Sequence, residues 1–311
     1  MNSDRSLPDR CPHPRDLAPG TPLLPAVWRD AVEKSRWIDA LDALGRRNRL
    51  LPWSARADDI QDLAHCRWCD TGTGVLPALC VGDRLLFEEM LRFLLRWPDN
   101  RPVPPSMGSM LIQGLVETGG PPAHALFAGK TSGTNPSKQA HALILAATGP
   151  YSNLATPDGM DESTWLEMSL DIRLEHEACH YVASRLFPGL AFGLQDELVA
   201  DFAALMSVAG RFNHHLFLDF MGLDADGGIR ARGRFANYVP ESSRGSAAIA
   251  AAAAALAAAA AMLAQFTRDW PGERWRESRI GMIAALTFLP LETLAGPTAL
   301  TTQLTDIAPA L

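Results

Sequence analysis

The chain has 311 residues, a formal net charge of −7 and a pI near 5.6. Apolar residues make up 47% and charged residues 20%, a composition that suits a packed globular protein and excludes disorder over most of the length. Nucleic-acid binding needs a basic face, whereas lysine and arginine are scattered along this acidic chain. We therefore expect a packed fold with no nucleic-acid partner.

The N-terminal residues predict an irregular start to a cytoplasmic protein. Residues 1–25 contain six prolines and predict a proline-rich arm. Residues 1–8 lack the apolar stretch of a secretory signal, so a cytoplasmic location is expected. The five cysteines are an odd and sparse set, which predicts reduced thiols rather than a disulfide framework.

Hydrophobic periodicity changes near residue 100. Residues 26–47 and 83–97 carry apolar side chains at helical spacing, which predicts a helical N-terminal region over 26–100. Between residues 102 and 150, glycine and proline increase and separate short apolar runs, which is typical of strands in a small sheet. These runs cover residues 110–116, 123–127 and 142–147, and residues 130–138 are predicted to form a loop between two of the strands.

The remaining chain is predicted to be mainly helical. Asp161 is a suitable N-cap for a long helix that Pro188 and Gly189 close, and a second helix is expected over residues 194–212. Residues 213–240 then predict a loop, followed by an alanine-rich helix over 246–266 and a C-terminal helix over 273–288. Alanine is only weakly apolar, so the alanine-rich helix is interpreted as a packing element and no membrane partner is expected.

One motif on the first of these helices is typical of a metal site. His176 and His180 lie four residues apart, which places both imidazoles on one helix face about one turn from each other. Two nitrogens at that separation can share one Zn²⁺. Glu177 lies three residues before His180 on the same side, where it can serve as the base that activates a zinc-bound water.

The third metal ligand is expected on the following helix. A catalytic zinc usually takes three protein ligands and leaves a fourth position open. Glu197 lies seventeen positions after His180, and Asp201 lies one helical turn further on the same face. Two helices joined by a Pro-Gly break can lie antiparallel, which would bring Glu197, rather than Asp196 or Asp201, to the metal. Asp201 would then hold one histidine ring from behind and fix its tautomer.

The segment from Leu174 to Asp201 resembles the gluzincin metallopeptidases, whose pattern is HExxH followed by ExxxD. The resemblance implies one Zn²⁺ per chain, bound by His176, His180 and Glu197, with Glu177 as the catalytic base. It also implies a zincin-like fold, which here would be α+β and mainly helical, with a small sheet preceding the HExxH helix and a helical C-terminal part. The expected regions are the arm (1–25), the helical N-terminal region (26–100), the metal-binding core (101–212) and the helical C-terminal region (213–311).

The gluzincin resemblance also implies a donor for the developing oxyanion, from a tyrosine or histidine after the second helix. The sequence offers Tyr238, His214 and His215, and Tyr238 is the first choice as a catalytic residue, against the alternative of a plain surface tyrosine. Arg232 and Arg234 either grip a substrate carboxylate or are solvated. The run 141–147 is either an edge strand that aligns an extended substrate or a buried strand without a substrate role.

Three other features of the sequence give weaker evidence of a functional site. Cys66 and Cys69 have the spacing of a zinc or redox pair, but no second well-spaced pair accompanies them, so unlinked thiols are expected. Cys179 lies within the HExxH motif and is interpreted as a small buried thiol. The segment 224–228 resembles the start of a calcium loop but lacks its later ligands, so it is interpreted as a turn.

These residues predict a zinc-dependent metallohydrolase whose substrate is a peptide or another amide. Two alternatives remain open at this point. One is a metal-binding protein that acts in regulation or in small-molecule tailoring without proteolysis. The other is a helical interaction protein in which the motif is accidental, and the metal content of the purified protein distinguishes this case.

Overall fold

A computed structural model of the chain describes residues 64–72, 74–95, 102–115, 141–188, 193–230, 233–239 and 245–296. The fold is α+β and mainly helical, with a small four-stranded sheet. In chain order the described elements are β1 (Ala64–Asp70), β2 (Val75–Val81), α1 (Arg84–Leu95), β3 (Ser109–Leu115), β4 (His141–Ala147), α2 (Glu162–Leu186), α3 (Leu194–Ala209), α4 (His214–Met221), α5 (Ala247–Phe266), α6 (Gly272–Phe288) and α7 (Leu291–Leu294), with 3-10 turns at Tyr151–Asn153 and Arg234–Tyr238.

The chain divides into two compact units. Unit 1 comprises Met1–Asp99 and Leu111–Leu145, and unit 2 comprises Asn100–Met110 and Ala146–Leu311. Most of the sheet lies in unit 1, and helices α2 to α7 lie in unit 2. The predicted arm over 1–25 and the predicted helix over 26–47 lie outside the described residues.

Unit 1 contains a strand pair within the region 26–100 that was expected to be helical. β1 and β2 are antiparallel, with Ala64 opposite Val81 and Asp70 opposite Val75. The hydroxyl of Thr71 donates to the carbonyl of Gly74 at 2.9 Å in the connecting turn, where Gly72 adopts a φ of 76°. The seven-residue apolar run of β2 is almost wholly buried, as expected for a central strand. A short run that is apolar throughout has no periodicity that would distinguish a strand from a buried helix segment. The predicted helix over 83–97 is confirmed as α1, which the side chain of Asp83 caps.

Two of the three predicted strands between residues 102 and 150 are confirmed as β3 and β4, whereas residues 123–127 and the loop 130–138 lie outside the described residues. The sheet order is β1-β2-β4-β3. Because β4 lies between β2 and β3, the interpretation of 141–147 as an edge strand is wrong and the alternative of a buried strand is correct. Residues 142–147 are accordingly buried.

Unit 2 is built on the helix pair α2 and α3. The carboxylate of Asp161 accepts a hydrogen bond from the backbone N–H of Thr164 at 2.9 Å, which satisfies a free donor of the first turn of α2. Helix α3 ends at Gly210, whose φ of 71° is the left-handed conformation that glycine adopts without steric cost. Both helices were predicted, with α3 ending three residues earlier than expected.

The predicted loop over 213–240 contains more regular structure than its composition indicated. Asn213 caps the short helix α4 by accepting from the N–H of Leu216 at 3.2 Å. A 3-10 turn at Arg234–Tyr238 follows. Eight residues are too few to show a clear helical period between turn residues, so α4 was missed.

Helices α2 to α6 all contribute side chains to the apolar core of unit 2. The inner face of α5 is buried and contributes residues such as Leu256, Ala260 and Leu263, and the small alanines let neighbouring helices approach. Among the described residues, α5 is the one helix whose length and composition would allow it to cross a membrane, with a mean hydropathy of 2.2. A core helix meets the same criteria, so the absence of a membrane partner stays a prediction.

Candidate metal centre

The contacts between α2 and α3 show that the two helices run antiparallel at the site. His176 faces Asp201, whereas His180, one turn later on α2, faces Asp196, which lies one turn earlier on α3. Three of the shared side chains, those of His176, His180 and Glu197, form a buried group that could hold a metal ion. The antiparallel arrangement expected from the Pro188-Gly189 break is therefore present.

The distances within this group fit a small metal ion. The Nε2 atoms of His176 and His180 lie 3.0 Å apart. Oε1 of Glu197 lies 3.4 Å from Nε2 of His180, and Oε2 lies 3.7 Å from Nε2 of His176. Two nitrogens bound to one zinc at about 2.0–2.1 Å with a tetrahedral angle are about 3.3 Å apart. The three side chains therefore stand close to chelating separation.

A carboxylate lies behind each histidine. Oδ1 of Asp201 lies 2.8 Å from Nδ1 of His176, and Oδ2 of Asp196 lies 3.0 Å from Nδ1 of His180. An ionised carboxylate can only accept, so each Nδ1 carries a proton in this arrangement, and an imidazole without a second proton presents the lone pair of its Nε2 towards the other ring. Two facing lone pairs at 3.0 Å repel each other unless a proton or a cation lies between them.

Tyr151 and Arg234 complete the network behind the histidines. The hydroxyl of Tyr151 donates to Oδ1 of Asp201 at 2.6 Å and lies 3.0 Å from Nδ1 of His176. Nη2 of Arg234 donates to Oδ2 of Asp201, and Nη1 donates to the Tyr151 hydroxyl at 3.0 Å. Nη1 also lies 3.3 Å from Oε2 of Glu197. One guanidinium thus contacts both carboxylates on this face of α3.

Burial and pairing shift the pKa values of these groups in consistent directions. Burial alone would raise the pKa of Glu197, but the imidazoles of His176 and His180 and the charge of Arg234 hold it well below its usual range. Burial would lower the pKa of His180, and hydrogen bonds to Asp196 and Glu197 outweigh this and raise it. Burial would likewise lower the pKa of Arg234, but Asp201 raises it, so the guanidinium stays charged.

Glu177 lies beside the cluster on α2 and is buried. Its Oε1 accepts a hydrogen bond from the hydroxyl of Ser109 at 2.8 Å. Ser109 therefore restrains one of the two oxygens of this buried carboxylate. Ser109 was not identified from the sequence, since the two residues are 68 positions apart.

Tyr238, the predicted oxyanion donor, lies next to Glu197. Burial raises the pKa of its phenol far above the usual value, and the charge and hydrogen bond of Glu197 raise it further. The phenol therefore acts as a hydrogen-bond donor towards Glu197, and Tyr238 as a whole is 38% exposed. The other two candidates, His214 and His215, lie together on α4 with ring centroids 4.0 Å apart.

Four of the predicted site residues, His176, His180, Glu197 and Asp201, come together as expected. The hypotheses for Arg234 need correction, since its side chain is buried and pairs with carboxylates of this chain rather than with solvent. Arg232 lies outside the described residues. Asp196 and Tyr151 were missed as partners of the histidines. An Asp-Glu doublet at the start of α3 was the one available signal for Asp196.

A comparison with protein families matches residues 134–298 to a family of unknown function, DUF7005. The match covers just over half of the 311 residues. The chain belongs to the DUF7005 family. No curated protein and no solved structure matches it significantly.

The DUF7005 match contains almost the whole site. His176, His180, Glu197, Tyr151 and Arg234 all lie within residues 134–298, whereas Ser109 precedes them. The match also covers β4 and the helices α2 to α7, but not the pair β1 and β2 or helix α1. The family segment therefore coincides with the part of the chain that contains the candidate metal centre.

The cysteine pair discounted from the sequence lies before the DUF7005 segment. Cys66 and Cys69 are on β1, where three positions along a strand place side chains on opposite faces. None of the four cysteines in the described residues is in a disulfide, and burial raises the pKa of the Cys179 thiol far above its usual value.

The segment 224–228 is a turn, as expected from the sequence. The backbone N–H of Gly227 closes it by donating to the carbonyl of Asp224 at 2.9 Å.

Proposed function

We propose that the chain is a zinc-dependent hydrolase of the gluzincin type that cleaves a peptide or another amide. The observation that carries the proposal is the 3.0 Å separation of the Nε2 atoms of His176 and His180, with both oxygens of Glu197 within 3.7 Å of them. A cation between these atoms would replace the proton that otherwise lies between the two nitrogens, and it would offset the buried charge of Glu197.

The donor set favours zinc over other common metals. Two neutral imidazoles and one carboxylate form the His₂Glu set of several catalytic zinc sites, whereas Mg²⁺ and Ca²⁺ prefer oxygen ligands. His176, His180 and Glu197 would hold the ion, and Asp201 and Asp196 would orient the two imidazoles. Bound zinc would polarise a substrate carbonyl and lower the pKa of water at the site.

The residues of this chain divide the proton transfers between them. Glu177 accepts the proton of the attacking water on the oxygen that does not face Ser109, and later delivers it to the leaving amine. Ser109 holds the other oxygen and so limits rotation of the carboxylate. Tyr238 donates its phenol proton in a hydrogen bond to the oxyanion that develops on the substrate carbonyl.

A test of this function uses the full chain loaded with zinc and a library of peptides and simple amides. The wild type is expected to bind one zinc and to cleave members of the library. Glu177→Gln should retain the zinc and lose about 10²- to 10⁴-fold in cleavage rate, since it removes a general base. Glu167→Gln, an exposed change on the same helix, is the matched control and should cleave like the wild type.

Two results would contradict the proposal. A wild-type zinc content near zero would exclude the metal site, and equal cleavage by the wild type and Glu177→Gln would exclude the base. Zinc binding without cleavage of any library member would favour the second candidate, a metal-binding protein that acts on small molecules or in regulation. One observation favours this second candidate. His176, His180 and Glu197 are each at most 8% exposed, and such buried ligands suit a small molecule better than a folded protein.

A further inference from the structure

Arg234 is a charged residue of the site to which the proposed reaction assigns no role. Its side chain is buried, and its two terminal nitrogens contact different carboxylates of α3, while Nη1 also donates to the Tyr151 hydroxyl at 3.0 Å. Nη2 donates to Oδ2 of Asp201, and Nη1 lies 3.3 Å from Oε2 of Glu197. Burying an arginine costs free energy unless its charge is paired, and these two carboxylates supply that pairing.

The two carboxylates are one helical turn apart on a single helix. Like charges at that spacing repel each other, and the repulsion grows when both groups are removed from water. A guanidinium suits this pair because its nitrogens form a rigid planar fork, whereas a lysine ammonium is a single point charge. Arg234 therefore fixes the orientation of Glu197 relative to Asp201, in addition to neutralising charge.

The backbone before Arg234 holds the guanidinium in place. Gly233 has a φ of 138°, and a Cβ at this position would lie 2.4 Å from the Cα of Gly222 and 2.4 Å from the carbonyl oxygen of Met221. Only glycine allows this close approach between the 3-10 turn and the end of α4. The guanidinium carbon also lies 5.0 Å from the ring centroid of Tyr151. Backbone and ring together restrict the position of Arg234.

We propose that Arg234 is a positioning residue that holds Oε2 of Glu197, so that Glu197 offers only Oε1 to the metal. The inference rests on the proposed metal site. Oε1 is the oxygen nearer to a histidine nitrogen, at 3.4 Å from Nε2 of His180, while Oε2 is the oxygen that faces Arg234. A single-oxygen carboxylate leaves one coordination position open, as a catalytic zinc site requires.

The experiment uses the full chain loaded with Co²⁺, whose visible absorption weakens as the coordination number rises above four. Arg234→Lys keeps the positive charge but removes the planar fork. It should still bind one Co²⁺ per chain, with about 10- to 100-fold weaker affinity because Glu197 loses the rigid partner that orients it. The visible bands should also be weaker, because the second oxygen of Glu197 can then bind the metal. Arg230→Lys is the matched control, since Arg230 pairs with Asp219 and Asp224 on an exposed surface. It should match the wild type in affinity and spectrum.

The possible outcomes separate this inference from the proposed function. An Arg234→Lys spectrum identical to that of the wild type overturns the positioning role, whether or not the affinity falls, and leaves the metal site standing. A wild-type chain that binds neither Co²⁺ nor Zn²⁺ overturns both proposals. X-ray absorption of the zinc-loaded wild type provides a test that needs no variant. The measured quantity is the distance from the zinc to the carboxylate carbon of Glu197. A short distance, as found when both oxygens bind, would overturn the inference, and the longer distance found when one oxygen binds would support it.

Discussion

Unit 2 contains two buried regions of opposite chemical character. Around His176 the buried side chains are imidazoles, carboxylates, a tyrosine and a guanidinium. Around Leu256 on α5 they are almost entirely alkyl and aromatic groups. Burying apolar groups stabilises the fold by about 25 cal/mol per Å², whereas burying charges costs free energy unless each is paired. The apolar region therefore stabilises unit 2, whereas the burial of the charged region costs free energy that its internal pairs must offset.

The largest expected difference between the two regions is in metal binding, which should depend on the charged region alone. His176→Ala should reduce the zinc content from about one per chain to near zero, because two ligands on adjacent helices rarely retain zinc. Elemental analysis after dialysis measures this directly. His214→Ala changes a histidine on α4 and should keep the zinc. Zinc retained by His176→Ala at the wild-type level would show that the charged cluster is not the binding site.

The apolar region should respond in stability and not in metal content. Leu256 is fully buried on α5, and Leu256→Ala leaves helix propensity high while removing core packing. We expect the free energy of unfolding in urea to fall by about 2–5 kcal/mol, with one zinc still bound by the folded chain. Gln265→Ala, on the exposed side of the same helix, should change it by less than about 0.5 kcal/mol. Loss of zinc in Leu256→Ala at full folding would show that the two regions are coupled.

A smaller effect concerns the carboxylate behind the second histidine. Asp196→Asn should weaken zinc affinity by about 10- to 100-fold without changing the saturating stoichiometry, since Oδ2 of Asp196 lies 3.0 Å from Nδ1 of His180. Competition with a chromogenic chelator measures the affinity. Asp219→Asn alters an exposed carboxylate paired with Arg230 and should leave the affinity unchanged. Equal affinities in both variants would mean that Asp196 does not orient His180.

The two regions also differ in how far the sequence predicts them. Helices α2, α3, α5 and α6 were predicted because each is long and bounded by a capping residue or by proline and glycine, and α5 also because alanine has a high helix propensity. The pair β1 and β2 was not, since a short buried run has no diagnostic period. The proposed metal ligands were predictable from local sequence as well, because their spacing places them on single helix faces.

The network behind the ligands depends instead on tertiary packing. Tyr151 precedes His176 by 25 positions, and Arg234 follows Asp201 by 33, so neither contact has a signature in local spacing. Arg234 and Tyr151 lie in 3-10 turns, and their positions depend on how those turns pack against the helices. A single sequence carries no direct record of that packing, which is why the positioning residues appear only in the structure.

The smallest expected effect concerns the start of α2, outside both regions. Hydrogen bonds from the side chains of Ser163 and Thr164 and from the backbone of Thr164 lower the pKa of Asp161 far below its usual value near 3.9. A lowered pKa in the folded state means that this carboxylate stabilises the fold above its unfolded pKa, and that the contribution is lost as the pH falls through the folded value. Asp161→Asn retains a capping side chain that does not titrate. The urea midpoint of the wild type should therefore fall more steeply than that of Asp161→Asn as the pH is lowered from about 4. Parallel midpoints down to pH 3 would contradict the capping role, whereas zinc binding at neutral pH should be the same in both proteins because Asp161 lies fifteen residues before His176.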